Sequence, residues 1–408
     1  MSVSRYAKGR IKLLKGEYVR SNQTYEYRWT DKNGKCHYIY AKSLSELRKK
    51  EDEIAQKIID GLDYAKLDAT VNSYYELWKE LKTGVRGTTY ANYIRFYERY
   101  IEPDIGKVKL RDLTYSRVVM FFKNLALKRG LSYSTISKVE VPLSMILDIA
   151  VKDDVIRSNP CRGALRELQR AYGSNAKIIR GLTLKEQRVF ETFLAKPGPY
   201  HLYYPVFTVM LWTGMRVGEV IGLRWEDIDF DNNEIDVNHN LNFYDLGKGK
   251  GSTYSINPPK TKSSIRKVPM LPIVREALLE EKKHLETVGI KCNSVIDGYT
   301  DFIFLNSKGH VYSHKKLNHQ LNKICNAINK ELRESPDPEL TTFPHVHNHM
   351  LRHTFATRMR EAGADVKATS EMMGHEGILI TLTTYTDASS EFKKREIGVL
   401  QDYYEKAT

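Results

Sequence analysis

The sequence predicts an α+β protein in three parts: a small N-terminal β-sheet with one helix, a helical core block, and a mixed, mainly helical block with short β-hairpins. Three observations carry this reading. Aromatic residues alternate ahead of an Asn-Gly turn near the N-terminus, apolar residues keep helical spacing from 67 to 165, and helical and hairpin patterns interleave from Ile178 onward. At 408 residues the chain is also too long for one ordinary core, and two or three domains are expected.

In the first part, Tyr25, Tyr27 and Trp29 alternate along one side of a strand, and Asp31-Lys32-Asn33-Gly34 supplies a hairpin turn into a return strand over His37–Tyr40. Ser43 and Glu46 have the spacing of a capping box, opening a helix that runs to Asp60 and stops at Gly61. Residues 1–66 hold 15 Lys and Arg against 9 Asp and Glu. A basic β-ribbon of this kind can enter a major groove, which the charge excess favours over aromatics that merely cover the helix.

The second part, 67–165, reads as helical. Val71, Tyr74, Tyr75, Trp78 and Leu81 share one helical face, as do Tyr90, Tyr93, Ile94, Tyr97 and Ile101. Further helices are expected at 115–128 after Thr114 and at 133–152 after Ser132. The aromatic stripes read as core. Ser158-Asn159-Pro160 closes the block, and a linker over 166–177 contains Tyr172-Gly173-Ser174-Asn175.

The third part, 178–408, has helices near 184–195, 201–213 and 216–222, then a hairpin of Ile228–Asp231 with Glu234–Val237 turning at Asn232-Asn233. The basic loop Gly247-Lys248-Gly249-Lys250-Gly251 precedes another strand pair, joined near Lys260–Ser264, and the remainder is largely helical. The loop does not match the G-x-x-x-x-G-K-[ST] phosphate cradle, which argues against an ATPase. Beyond Ser389-Ser390, Phe392, Ile397, Leu400 and Tyr404 form the apolar face of a tail helix, which docks on its own domain or on a neighbouring protomer.

Composition narrows the function classes. Cys36, Cys161, Cys292 and Cys325 lie far apart with no C-x-x-C pair, against a zinc cluster or disulfide framework. The longest apolar run, Tyr203–Trp212, is about half of the ~20 residues a membrane span requires. The first residues lack an apolar secretory stretch, so a cytoplasmic protein is expected. The net charge of +14 favours a polyanionic partner, nucleic acid or an anionic membrane surface, without choosing between them.

Three separated segments carry the candidate chemistry. The first is Thr213-Gly214-Met215-Arg216-Val217-Gly218-Glu219, with Arg216 opening a helix and Glu219 three residues on. The second is His349-Met350-Leu351-Arg352-His353, where His349 and Arg352 share a helical face while Leu351 and Phe355 turn to the core. The third is Gly374-His375, followed by Tyr385, with Gly374 ending a helix begun after Asp365. Two arginine forks bind phosphate oxygens and stay charged, so they can neutralise a five-coordinate phosphorus transition state. A tyrosine hydroxyl is a nucleophile once a cationic site or a base activates it, a lysine can protonate a departing sugar oxygen, and histidines can hold phosphate or shuttle protons. His345, His347 and His349 alternate and offer a metal-site alternative, but Pro344 and Asn348 favour a loop entering a helix. His353 reads as a buried, hydrogen-bonded helix residue.

In this order and spacing, Arg216, His349-x-x-Arg352, Gly374-His375 and Tyr385 resemble the catalytic boxes of the tyrosine recombinases, especially integrases of phages and conjugative transposons. The resemblance covers 178–400, and the two earlier parts resemble the family's arm-binding and core-binding domains. It implies Arg216 and Arg352 as phosphate clamps, Tyr385 as nucleophile, and His349 and His375 as the supporting pair. The family lysine lies on a hairpin turn; Lys260 is assigned here, with Lys262 as its rival, and Glu219 resembles an acid that orients its neighbours. Tyr385 follows His375 by ten residues where nine is common in the family. The resemblance further implies a clamp on double-stranded DNA formed by 67–165 and 178–400. It implies a 3′-phosphotyrosine intermediate, a homotetramer on core crossover sites and arm sites, accessory excisionase and DNA-bending proteins, and no cofactor. A type IB-like topoisomerase and a non-catalytic DNA-binding regulator are the competing readings.

Overall fold

A computed structural model describes residues 11–30, 34, 36–59, 68–84, 87–172, 180–246, 251–257 and 265–374. The chain divides into two compact units, Met1–Ala176 and Lys177–Thr408. Among the described residues, no helix is long and apolar enough to cross a membrane.

The first unit opens with an antiparallel meander of β1 (Glu17–Val19), β2 (Tyr25–Thr30) and β3 (Cys36–Ala41), followed by α1 (Leu44–Ile59). In register, Tyr27 faces Glu17 on one side and Ile39 on the other. Strand β1, three residues long, has too little alternation to be read from sequence. It is pinned by Glu17, whose buried carboxylate accepts from Arg48 Nε of α1 at 2.9 Å. Ser43 Oγ caps α1 by accepting from Glu46 N, while the Glu46 carboxylate reaches back to Lys42 N and not to Ser43 N. Tyr25, Tyr27, Val19 and Ile39 pack against Leu44 and Leu47 of α1, so these aromatics do cover the helix. The opposite face exposes Tyr18, Tyr38 and Tyr40, with the Arg28 guanidinium over Tyr38 and Arg20 over Tyr40. The turn residues Asp31–Asn33 lie outside the described residues.

The helical part follows. Helix α2 (Val71–Leu81) starts at a Thr70–Ser73 capping box and buries Val71, Tyr74, Tyr75 and Trp78. Leu81 is a correction: at the last turn of α2 its side chain is exposed. Helix α3 (Gly87–Phe96) runs into a π-helical turn over Tyr97–Ile101 and then α4 (Glu102–Ile105). Tyr97, Tyr100 and Ile101 are buried within this wider turn. Tyr75 stacks on Tyr97 at 3.6 Å and Trp78 on Tyr90 at 5.8 Å, so the stripes are core. Thr114 caps α5 (Tyr115–Leu127) and Ser132 caps α6 (Tyr133–Lys152), at the expected positions. Within the stretch read as linker, α7 (Arg166–Tyr172) is helical and its Leu168 joins this core.

The second unit is built around α9 (Tyr204–Thr213), preceded by α8 (Leu184–Ala195) with its Thr183–Glu186 capping box. Helix α9 is apolar on every side and buried on nearly every side, as such a sequence requires. After α10 (Val217–Gly222) come β4 (Ile228–Asp229), β5 (Glu234–Val237), β6 (Asn240–Asp245), β7 (Ser252–Asn257) and β8 (Arg266–Pro269). Helices α11 (Pro272–Val288), α12 (His314–Glu334), α13 (Asn348–Glu361) and α14 (Val366–Met373) complete the described chain. The strand pairing corrects the sequence expectation. β7 and β8 do not pair across 258–264; β7 pairs with β6, and β8 returns to β5. The basic loop therefore connects β6 to β7, with Leu246 N donating to Gly251 O at 2.9 Å. The physical reason is burial: Val268 of β8 lies opposite Ile235 of β5, and both are fully buried in the core around α9.

Candidate active site

The site grows from four helix ends in the second unit. Helix α9 stops at Gly214, whose φ of +63° favours glycine, and an added Cβ would overlap the Phe355 ring. Two residues on, Arg216 stands at the N-cap of α10. Its backbone N–H donates to Glu219 Oε2 at 2.8 Å, its Nη1 to Glu219 Oε1 at 2.8 Å, and its Nη2 to Gly374 O at 2.8 Å. Helix α13 starts at His347, whose Nδ1 accepts from Met350 N, so this histidine is a helix cap in a chain entering a helix. Among the described residues, no three His, Cys, Asp or Glu side chains converge as a metal site. Leu351 and Phe355 are buried as expected, while Arg352 is enclosed on the His349 side, 2% exposed. Its Nη1 donates to Gly214 O at 2.7 Å and its Nη2 to Met373 O at 2.8 Å.

One arginine escaped the sequence reading. Arg266, the first residue of β8, donates from Nε to Met372 O at 2.5 Å and from Nη2 to Glu219 Oε2 at 3.0 Å. Its Nη1 reaches Glu219 Oε1 at 3.3 Å. The available signal was alternation: Arg266 and Val268 share a side of β8, and Val268 is inward. An inward arginine requires a buried partner, but that inference needs the strand register first.

Three consecutive carbonyls, Met372, Met373 and Gly374, thus each take one arginine: Arg266, Arg352 and Arg216. They lie at the C-terminus of α14, where unpaired carbonyls and the helix dipole favour cations. Gly374 holds the αL cap at φ +65°, and a Cβ there would stand 2.8 Å from Arg266 Nη1. Around this carbonyl cluster, Arg216 and Arg266 pair with the buried Glu219 carboxylate while Arg352 bonds carbonyls, leaving +2 (three minus one) among these four described residues. Burial pushes Glu219 up, but Arg266 and Arg216 outweigh it and hold the carboxyl below its usual range. Burial and the neighbouring Arg216 push Arg352 down to about 9, so it remains a cation at neutral pH.

The histidines are neutral neighbours of this charge. Burial, then Arg352, His347 and Arg216, hold His349 below the usual imidazole range. His353 lies edge-on to it with ring centroids 4.6 Å apart and is pushed down to about 4, first by burial and then by His349 and Arg352. His353 corrects its expectation: it is half-buried, and neither ring nitrogen has a hydrogen-bond partner among the described residues. Of the six residues singled out by sequence, Arg216, His349 and Arg352 are gathered here. Lys260, its rival Lys262, His375 and Tyr385 lie outside the described residues. Lys260 precedes the start of β8 by six positions, and His375 directly follows the Gly374 cap.

A net-positive side-chain cluster at converging helix ends, with neutral imidazole beside it, is the equipment of a protein that handles phosphodiesters. The chain belongs to the phage integrase family, whose profile matches residues 186–391. Residues 1–58 match the DNA binding domain of Tn916 integrase, and 70–126 match the phage integrase N-terminal SAM-like domain. The transposase from transposon Tn1545 of Streptococcus pneumoniae is 28% identical, covering 96% of this chain and 95% of the relative. The transposase from transposon Tn916 of Enterococcus faecalis is 28% identical with the same coverage. Among solved structures, the Tn1549 transposon integrase in complex with transposon right end DNA is 27% identical, with a TM-score of 0.67, covering 81% of this chain and 99% of that one. A lambda integrase tetramer bound to a Holliday junction shares the fold, at 16% identity and a TM-score of 0.53, over 93% of this chain and 98% of that one. The protein is a site-specific tyrosine recombinase of the integrase type, an enzyme acting on DNA.

Proposed function

We propose that the recombinase cleaves a DNA strand by attack of the Tyr385 hydroxyl on a phosphodiester held by Arg216 and Arg352. The Tyr385 Oη–P bond forms as the P–O5′ bond breaks, leaving a 3′-phosphotyrosine and a free 5′-hydroxyl. Lys260 gives a proton to the departing O5′, and His349 or His375 accepts the phenol proton. The covalent link keeps the bond energy, so a second 5′-hydroxyl reseals the strand by the reverse displacement, restoring the tyrosine. The observation that carries this reading is the net +2 of Arg216, Arg266, Arg352 and Glu219, anchored on the carbonyls just before His375. A phosphodiester carries one negative charge and its five-coordinate transition state two, so this charge favours the transition state over the bound ground state.

The substrate is a mobile element's double-stranded DNA, a reading supported by similar chains named for transposons Tn1545 and Tn916. Exchange of both strands between two duplexes needs four cleavages, so the acting unit is a homotetramer on DNA. Residues 67–165 hold the crossover site and 1–66 bind a second, separate DNA site through the exposed tyrosine–arginine face of β1–β3. Tyr385→Phe is the test: it removes only the hydroxyl and is expected to leave DNA binding within about twofold while abolishing the covalent adduct. A persistent adduct assigns the nucleophile elsewhere. Relaxation of plasmids with no specific site would favour a topoisomerase instead.

A further inference from the structure

We infer that Arg266 is a positioning residue that sets both the charge and the register of the phosphate clamp, an inference that rests on the cleavage reading above. Arg266 touches two of the four helix ends that form the site, the start of α10 and the end of α14. Through Glu219 it meets Arg216 at the start of α10, and through Met372 O it holds the C-terminus of α14. Its own strand, β8, is the one entered from the segment that carries Lys260. Arg266 thereby ties the first arginine box to the chain on both sides that supplies the remaining candidate groups.

Two consequences follow from its partners. The first is electrostatic. Glu219 is 5% exposed and shared between Arg216 and Arg266. Without Arg266 the buried carboxylate is neutralised by Arg216 alone, which draws that guanidinium away from a phosphate and lowers the site from +2 to +1. The second is geometric. The Arg266 side chain is 7% exposed and its Nε, Nη1 and Nη2 all engage Met372 O or Glu219. It is placed to orient Arg216 and α14, not to meet the substrate.

The two consequences are separable by charge arithmetic. Arg266→Gln leaves +1, Glu219→Gln gives +3, and the double variant Arg266→Gln/Glu219→Gln returns to +2. The experiment measures single-turnover adduct formation on a crossover-site suicide DNA with the full chain, together with DNA affinity and amide hydrogen exchange over 369–374. Arg266→Gln is expected to slow adduct formation ~100-fold at saturating DNA, with affinity changed less than about threefold. The double variant is expected to recover at least ~10-fold of that loss, and Arg266→Lys, which keeps the charge without the fork, to fall between. Exchange over 369–374 is expected to quicken in Arg266→Gln. Adduct formation by Arg266→Gln at the wild-type rate, or a double variant no faster than Arg266→Gln, overturns the inference. A wild-type chain that forms no adduct counts against the cleavage reading itself. In that event the exchange measurement still decides whether Arg266 holds α14, and unchanged protection in Arg266→Gln overturns it.

Discussion

Among the described residues, Arg352 is enclosed without a carboxylate hydrogen-bonded to it; its bonds go to Gly214 O and Met373 O, the carbonyls that close α9 and α14. Helix C-termini carry partial negative charge, so the guanidinium is stabilised without being neutralised. The cost falls on the imidazoles beside it. His353 is pushed down to about 4 by burial, then His349 and Arg352. Its folded pKa lies below the unfolded value, so the neutral ring contributes stability that is fully present above about pH 6.5 and is lost as pH falls toward 4. His353→Phe removes this contribution to acid sensitivity. Urea denaturation between pH 7 and 4 is expected to show the wild type losing on the order of 2 to 3 kcal/mol more than the variant. Parallel stability curves would contradict the placement of this ring.

At the level of elements, the N-terminal sheet divides its work by face. Val19, Tyr25, Tyr27 and Ile39 bury against α1, leaving Tyr18, Tyr38, Tyr40 and Arg28 outward. Replacing Arg28 and Tyr38 together with Ala removes outward groups only, so the melting temperature is expected to hold. Affinity for the second DNA site is expected to fall, with the salt dependence reduced by about one phosphate contact. Equal affinity in both chains, measured across a salt series, would remove this face from the interface. What the sequence disclosed about elements follows the range of the forces involved. Helices capped by Thr114, Ser132 and Asp365 were legible because cap and apolar spacing lie within a few residues. The π-helical turn at Tyr97–Ile101 and the pairing of β8 with β5 were not, because a widened turn and a distant partner leave no local periodic mark.

Across the whole molecule, the site was legible to the extent that it is written in short motifs. Arg216, His349 and Arg352 stood out because each sits at or near a helix start with a fixed neighbour pattern, and the fold brings the two arginines to neighbouring carbonyls with His349 beside Arg352. Arg266 was invisible because its role depends on strand register, on Glu219 and on a carbonyl 106 positions away, none of which shows in its surroundings along the chain. The central claim is that this charge is organised around a phosphodiester attacked by Tyr385. Its most direct test is protease digestion of the full chain trapped on crossover-site DNA, followed by mass spectrometry of the DNA-linked peptide. The expected product is a peptide containing Tyr385 joined through a 3′-phosphate, with the released strand bearing a 5′-hydroxyl. Attachment at another residue, or a link through a 5′-phosphate, would contradict the account.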